Sequence, residues 1–578
     1  MSKQAKKPEK KPESRPTTPL KKAPKRAADL RWLYTLIIVV TVIVMYSRTM
    51  SYQYVKMDDT DLIVENESFI KHTKNIPQAF RQSCFQIPGH LTDSKSYYRP
   101  MLIVSFIVDA QLHGARSSST FHFMNILYHI ICCLLLFWLL MRLGVSQLLS
   151  FALAFLFAVH PVHTHAIAWI PGRNDILLSM FVLLSLHGLI GYVRRNDIGN
   201  LILHILAFAA ALFTKESAVL LVPLYVGFMW LWMRDLAFYK RKFFLPIMYA
   251  ALGVVWYIAM KAALKGQPMM GGSESLVSVA LKNLPYLFLY IGKILLPFNL
   301  NVMPGANGLA YVLGSFSILG LAYIFSTIKD IRKALFSLGW YFMFLLPTLL
   351  VPELPAYEHR DYLPLIGLML GISQSGLFAG FSFTSKNALW GMGILAVLFI
   401  VLTSIRMPVF SSRYTFWMDG TDGTPFSASA CVNMGELYQE EFNNNPELNK
   451  QQKNEALGQA GTWNHTAIQM DSATLRGNNN YGAYLYLTGK PDEAKPYFEK
   501  EIKFHPTNSD PYKNLGIYYK DKGQAYKSVY YWEKLISLNR FYLTAYEDLA
   551  SYYAQQGDMA KATMYRAQEK ELTEEAQK

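Results

Sequence analysis

Twelve apolar runs lie between residues 30 and 405, separated by polar loops and, after the first run, by a longer polar stretch at 47–99, while both ends of the chain are polar. A transmembrane helix needs about 20 mostly apolar residues to cross about 30 Å of hydrocarbon. The pattern therefore predicts an all-α fold that begins with a polytopic membrane helical bundle. The runs are 30–46, 121–143, 148–159, 176–193, 198–213, 218–233, 244–260, 277–298, 309–328, 334–351, 363–381 and 388–405.

The basic loops predict which runs cross the membrane. Loops rich in Lys and Arg stay in the cytoplasm, and those at 194–195, 234–242 and 329–333 share one side only if one run between them does not cross. The candidate is 277–298, which Lys282, Pro285, Lys293 and Pro297 interrupt, because broken backbone at membrane depth is tolerated where it lines a cavity. We predict about eleven spans, with 277–298 re-entrant.

The boundaries follow from composition. Residues 1–29 are rich in Lys, Pro and Ser and predict a disordered basic cytoplasmic tail. No A-x-A-like cleavage site follows 30–46, which favours a retained anchor over a signal peptide. The membrane domain then covers residues 30–407, and residues 408–429 form a connector.

The C-terminal part, residues 430–578, has a different periodicity. Gly489, Gly523 and Gly557 recur at 34 residues, which is the tetratricopeptide period. Gly482, Gly516 and Ala550 repeat at the same interval and would let two helices pack closely. We predict a tetratricopeptide (TPR) α-solenoid on the extracytoplasmic side, whose concave groove suits an extended peptide. A degenerate earlier unit around Gly435 carries an insertion near 443–454.

The net charge of +15 does not indicate a nucleic-acid partner, because most of the excess lies in the N-terminal tail and in short loops. Membrane orientation accounts for such charges, and the mean hydropathy of +0.14 agrees with membrane lipids as the surroundings. Among the four cysteines, Cys84 and Cys431 could both face an oxidising compartment and pair there.

Polar residues gather on the predicted outer side. Asp58 and Asp59 follow the first span directly, and a partly desolvated carboxylate there can act as a general base. The alternative is an ordinary solvated acidic loop. Four cations on the same side suit a phosphate, since Arg offers forked hydrogen bonds and Lys a point charge: Arg99, Arg173, Lys215 and Arg360.

Each cation also has an ordinary explanation. Arg99 and Lys293 could extend along the membrane surface, and Lys215 could form a local ion pair with Glu216. The stretch 158–175 adds His160, His163 and His165. A zinc site is conceivable there, because imidazole is a good ligand, but no nearby carboxylate or thiolate completes a set of ligands. Hydrogen bonding of the histidines to phosphate or sugar is favoured, and we predict no metal site.

Taken in order, these pieces resemble the membrane-plus-tetratricopeptide branch of the GT-C glycosyltransferases, whose eukaryotic members are protein O-mannosyltransferases of the endoplasmic reticulum. The resemblance runs from Met57 to Ala567. One departure is His165, where many relatives have an acidic residue. The matching pieces are Asp58–Asp59, Tyr98–Arg99–Pro100, Phe121–His122, His160–Pro161–Val162–His163, Gly172–Arg173 with Asp175, Lys215–Glu216, Glu358–His359–Arg360 and Tyr362–Leu363–Pro364.

The resemblance implies an inverting glycosyltransferase that moves a mannose-like monosaccharide from a polyprenyl-phosphate sugar to a Ser or Thr hydroxyl of an acceptor protein or peptide held in the TPR groove. Asp58 or Asp59 would be the catalytic base, and no cofactor would be obligatory. The residues expected to bind the donor phosphate or sugar are Arg99, His160, His163, Arg173, Asp175, Lys215, Glu216, Glu358, His359 and Arg360.

Two other functions fit the same sequence. The chemistry could act on a cell-envelope lipid or glycan, or the protein could be a non-enzymatic membrane anchor that displays TPRs. The long basic tail favours a bacterial inner membrane with a periplasmic TPR domain, and the alternative is the endoplasmic reticulum membrane with the repeats in the lumen.

Overall fold

The computed structural model describes residues 29–87, 96–114, 116–235, 237–265, 275–305, 307–351, 356–379, 386–422 and 427–577. Within these residues every regular element is a helix, apart from an isolated antiparallel bridge between Ile328 and Ser375. The predicted all-α architecture, a bundle of apolar helices followed by helix pairs, is confirmed. The predicted disordered tail, residues 1–29, lies outside the described residues except for Asp29.

The bundle combines long and short helices. The longer ones are Arg31–Tyr46, Pro100–His113, Ser118–Arg142, Arg173–Arg195, Ile198–Leu212, Phe244–Ala263, Gly308–Ser326, Ile331–Leu349 and Lys386–Arg406. The shorter ones are Glu67–Ile70, Ile76–Ala79, Gln147–Ala158, Thr164–Ala168, Leu221–Gly227, Phe238–Arg241, Leu276–Asn283, Tyr286–Leu295, Tyr362–Ile372, Gly376–Ala379 and Arg413–Asp422.

By length and composition, six helices of the described residues are candidate membrane spans: Arg31–Ser51, Ser118–Arg142, Ile170–Arg195, Phe244–Ala263, Gly308–Ser326 and Trp390–Phe410. A seventh candidate is the pair Gln147–Ala158 and Pro161–Ala168, which is bent by 47°. Shorter apolar helices account for much of the remaining hydrophobic sequence. The figure of about eleven crossings therefore stays a prediction.

The bundle has two chemically different ends. At one end the basic loops meet: Lys242 donates to Asn196 Oδ1 at 2.7 Å, and Arg234 pairs with Asp330 at 2.6 Å. The helix Arg173–Arg195 joins this basic end to the opposite end, about 34 Å away at 1.5 Å per residue. The loops that the positive-inside rule assigned to one side thus lie together.

The run at 277–298 stays at the end opposite the basic loops. It folds as two short helices, Leu276–Asn283 and Tyr286–Leu295. The Asn283 amide donates to the carbonyl oxygen of Val351 at 2.9 Å, and Lys293 pairs with Glu358 at 2.7 Å. These contacts hold both short helices against loops of that end.

The helix Pro100–His113 was not among the predicted runs. Its apolar side chains, including Phe106 and Ile103, pack against Ile63 and Phe69 of the segment that follows the first span. This second apolar cluster makes a small cap on the end opposite the basic loops. The cap brings Asp109 of the same helix into the protein interior, where it is fully buried.

Residues 428–577 form four helix pairs: Ala428–Asn444 with Lys450–Met470, Gly477–Leu487 with Pro491–Phe504, Asp510–Asp521 with Ala525–Leu538, and Leu543–Gln555 with Met559–Gln577. The glycine spacing has two structural causes. Gly489, Gly523 and Gly557 end helices with φ between 70° and 83°, where a Cβ would be unfavourable. A Cβ on Gly482 would lie 2.7 Å from the Phe498 ring, so a small residue there lets paired helices close together.

The first helix pair docks on the bundle. Ala430 and Met434 of Ala428–Asn444 are buried in the same apolar cluster as the bundle core. Arg413 pairs with Glu440 of that helix at 2.8 Å. The repeats are therefore fixed to the end opposite the basic loops.

Candidate active site

A cavity of about 380 Å³ opens at the end of the bundle where the repeats dock. Its walls come from seven separate segments of the chain. Three cations and three carboxylates line it together with His359, so seven of the predicted site residues meet there. The charged lining residues are Asp58, Arg99, Asp175, Lys215, Glu216 and Arg360. Five predicted site residues are not part of the lining: Asp59, His160, His163, Arg173 and Glu358.

The two adjacent carboxylates after the first span lie in different places. Asp58 lines the cavity, whereas Asp59 is 1% exposed. Asp59 Oδ2 accepts a hydrogen bond from the Val55 N–H at 2.6 Å, and Oδ1 accepts one from the Met57 N–H at 2.9 Å. Burial raises the pKa of Asp59 to about 6, although these hydrogen bonds oppose the shift. Asp59 closes the loop that carries Asp58, and Asp58 is the one of the two that lines the cavity.

Arg99 and Lys215 each form an ion pair with another residue of the cavity. Arg99 donates from Nε and Nη2 to both carboxylate oxygens of Glu216 at 3.0 and 3.1 Å, and Lys215 Nζ lies 2.7 Å from Asp175 Oδ1. The local ion pair between Lys215 and Glu216 that the sequence left open is not formed, because Lys215 binds Asp175 and Glu216 binds Arg99. The contact with Glu216 uses two of the five N–H donors of Arg99. An anionic ligand can therefore bind these cations without displacing their carboxylates.

Aromatic rings support the cations. The Arg99 guanidinium lies 4.3 Å from the Tyr97 ring centroid, and that of Arg360 lies 5.0 Å from the Tyr357 ring. The His359 ring stacks on Tyr357 with an interplanar angle of 21°. Contact between a cation and a ring face is attractive and restricts the orientation of the side chain. The positive groups of the cavity are thus held in place before any ligand arrives.

Arg173 has the same chemistry as Arg99 but a different location. Its side chain is fully buried and pairs with Asp109, which is also fully buried. Its Nε donates to Asn125 Oδ1 at 2.7 Å, and its Nη2 donates to the Phe121 carbonyl oxygen at 2.7 Å. These bonds lie inside the protein and join three helices. Direct contact of Arg173 with a donor phosphate is not supported by this placement.

Other predicted site residues are also interior contacts. Glu358 is fully buried and accepts from Lys293 Nζ at 2.7 Å. His160 Nε2 lies 2.9 Å from the carbonyl oxygen of Ile294, and His163 is fully buried in the core. The two histidines connect the stretch 158–175 to neighbouring segments, and Glu358 connects its own loop to Tyr286–Leu295.

We call Arg173–Asp109 and Lys293–Glu358 the sealed ion pairs, and Arg99–Glu216 and Lys215–Asp175 the cavity ion pairs. His165 is also fully buried. Its ring lies 4.7 Å from that of His359, so it contacts the cavity wall from behind.

Sequence reasoning missed several uncharged lining residues, among them Tyr97, Trp169, Asn174 and Tyr357. All four flank or lie within the selected motifs, so nearness to Arg99, to the stretch 158–175 and to Glu358 could have identified them. The lining at 347–351 carries no such signal, because only the fold brings it to the cavity.

Among the described residues, no group of three or more His, Cys, Asp or Glu side chains is arranged to hold a metal ion. Cys84 and Cys431 are both buried and free. The disulfide considered for them is therefore not formed. Cys84 instead lines the cavity.

No protein-family model matches the chain. It is 30% identical over 178 residues to protein O-mannosyl-transferase Tmtc1 of Drosophila melanogaster, which covers 30% of this chain and 20% of that protein. It is 28% identical over 209 residues to protein O-mannosyl-transferase TMTC4 of Homo sapiens, with coverage of 33% and 28%. The chain thus spans less than a third of the length of these relatives.

Among solved structures, a crystal structure of MamA matches 34% of this chain and 96% of its own, with 15% identity and a TM-score of 0.23. A likeness this weak carries no conclusion. The relatives, by contrast, confirm the resemblance identified from the motifs. Over about a third of its length, the chain is similar to proteins named protein O-mannosyl-transferases.

Proposed function

We propose that the protein is an inverting glycosyltransferase that moves a mannose-like monosaccharide from a polyprenyl-phosphate carrier to a Ser or Thr hydroxyl of a protein. The observation that carries this proposal is the cavity in which Asp58 lies with Arg99, Lys215 and Arg360 beneath the docked repeats. The similarity to proteins named protein O-mannosyl-transferases favours the same reaction.

The proposed reaction is a single displacement. The Asp58 carboxylate accepts the proton of the acceptor hydroxyl while the hydroxyl oxygen attacks the anomeric carbon. The bond between that carbon and the phosphate oxygen breaks, and its electron pair stays on the departing lipid phosphate. Arg99, Lys215 and Arg360 stabilise the developing charge, because preorganised cations act most strongly in a site that excludes water. Phosphate leaves readily, so we expect no obligatory metal or other cofactor.

The acceptor and the orientation complete the proposal. The concave surface of stacked helix pairs suits an extended peptide, and these pairs dock beside the cavity. The basic end would face the cytoplasm under the positive-inside rule. Catalysis would then take place on the extracytoplasmic side, with the periplasm of a bacterium favoured over the lumen of the endoplasmic reticulum.

The test is a transfer assay with the purified full-length protein, a polyprenyl-phosphate mannose and a peptide rich in Ser and Thr. Mass spectrometry would measure both free polyprenyl phosphate and the glycosylated peptide, and we expect both products. Release of the lipid phosphate without peptide modification would favour a cell-envelope acceptor. Absence of lipid release with every donor sugar tried would refute the transferase and favour a scaffold.

The role of the repeats is tested separately by removing residues 471–578. This truncation keeps Ala428–Asn444 and Lys450–Met470, whose apolar contacts cover the bundle. We expect lipid phosphate release by hydrolysis or by small acceptors to persist, while transfer to the long peptide falls. Unchanged transfer to the peptide would show that the outer repeats do not present the acceptor.

A further inference from the structure

The loop that carries Asp58 is held at its start and at its end. The Gln53 N–H donates to the Ser411 carbonyl oxygen at 3.0 Å, just after the last apolar helix of the bundle. Asp59 closes the end of the loop through its two backbone hydrogen bonds. Lys56 lies between these two anchors, two residues before Asp58.

Lys56 has an unusual backbone. Its φ of 55° lies in the left-handed region, which glycine and asparagine adopt more readily than lysine. This conformation directs the amides of Val55 and Met57, on either side of Lys56, to the single carboxylate of Asp59. Amides arranged in this way form an anion-binding nest. Glycine would adopt this backbone with less strain than lysine does.

The Lys56 side chain reaches the repeat domain. Its ammonium forms an ion pair with Glu440 of Ala428–Asn444, and both side chains are about one-third exposed or less. Glu440 also accepts from Arg413 Nη1 at 2.8 Å. The carboxylate therefore joins the loop before Asp58, the connector and the first repeat helix at one point.

We infer that Glu440 is a positioning residue: by binding Lys56, the first helix of the repeat domain holds the loop that sets Asp58 in the cavity. The repeat domain then fixes the geometry of the base in addition to presenting an acceptor. This inference rests on the proposed function only where it treats Asp58 as the base.

The first test measures the loop itself and does not depend on activity. Amide hydrogen exchange of residues 53–60 would be compared in the full-length wild type, Glu440→Gln and Lys56→Gly, all in lipid nanodiscs. The control is Asp548→Asn, which breaks the inter-repeat pair of Asp548 with Lys520 at 2.6 Å. We expect exchange about fivefold faster in the first two variants, in keeping with a partly exposed ion pair, and no change in the control.

Lys56→Gly is the more informative variant. Glycine adopts the left-handed backbone without strain, so any faster exchange must come from loss of the ion pair with Glu440. Exchange at the wild-type rate in this variant and in Glu440→Gln would overturn the inference, whether or not the protein transfers sugar.

The second test uses turnover. Glu440→Gln should lower kcat about fivefold, which corresponds to about 1 kcal/mol, with the KM for the lipid donor and the melting temperature unchanged. A purely structural role would lower the melting temperature instead. Faster exchange of the loop with an unchanged kcat would also overturn the positioning role. If the wild type transfers no sugar, the proposed function fails and the exchange result alone decides the inference.

Discussion

The cavity ion pairs and the sealed ion pairs contain the same residue types but have different access to water. Lys215–Asp175 and Lys293–Glu358 are both 2.7 Å long, yet their side chains are 18% and 7% exposed in the first pair and 2% and 0% in the second. A buried charge costs several kcal/mol to remove from water. A sealed pair therefore depends on its partner, whereas a cavity pair can share its cation with a ligand. Access, and not residue type, separates structural charges from candidate catalytic ones.

Among the substitutions, loss of Arg173 should have the largest effect, and this effect should be a loss of folding stability. Arg173→Met leaves Asp109 buried without its cation, which costs about 3–5 kcal/mol in comparable buried pairs. We expect a much lower yield of folded protein and a lower melting temperature in detergent. Arg173→Met combined with Asp109→Leu should recover much of the loss, because apolar replacement of both partners is often tolerated. If Arg173→Met melts like the wild type but fails to transfer sugar, Arg173 belongs with the candidate catalytic charges and not with the structural ones.

Loss of Asp58 should affect turnover alone. Asp58→Asn removes the proposed base, and positioned bases contribute about 10²–10⁴-fold to rate. We expect such a decrease in lipid phosphate release, with an unchanged melting temperature. The matched control is Asp61→Asn, since Asp61 is a nearby carboxylate outside the cavity lining. Equal activity of the two variants would argue against Asp58 as the base.

The smallest expected effect is a pH dependence from Asp59. Its pKa of about 6 predicts that transfer declines as the pH falls through 6, by at most about tenfold per unit for one proton, because protonation weakens the acceptor for two loop amides. Unfolding through this group cannot explain such a decline. A raised carboxyl pKa favours the folded state below the unfolded value of about 4 and loses this contribution as the pH rises through 6.

The measurement is the pH–rate profile of the wild type and Asp59→Asn. The variant should lack the decline near pH 6 and transfer slowly at every pH. A decline that remains at pH 6 in the variant would assign it to another group.

The sequence predicted those features that local signals determine. The helix pairs follow from Gly489, Gly523 and Gly557, whose positive φ is a property of single residues. The convergence of Asp58, Arg99 and the other cavity residues was predicted because each follows or precedes an apolar run on the same side. These inferences need only the spacing of residues along the chain and the number of membrane crossings between two loops.

The sequence did not reveal which charges are sealed, because burial depends on distant partners. In the sequence, Arg173 and Arg99 look alike, and only the buried partner Asp109 distinguishes them. Asp109 lies on the helix Pro100–His113, which was not among the predicted apolar runs. The choice between Asp58 and Asp59 likewise depends on the left-handed backbone of Lys56. A lysine gives no sequence signal for that conformation.

The most direct measurement compares Lys215→Met with Lys293→Met, because the two lysines form ion pairs of equal length. For each variant, the melting temperature and the rate of lipid phosphate release per folded molecule would be determined. We predict that Lys293→Met melts at a much lower temperature but keeps its rate per folded molecule. Lys215→Met should melt near the wild type and lose transfer, by about 10²–10³-fold for one lost charge-stabilising group. The reverse pattern, or equal losses of rate in both variants, would contradict the separation of cavity and sealed charges.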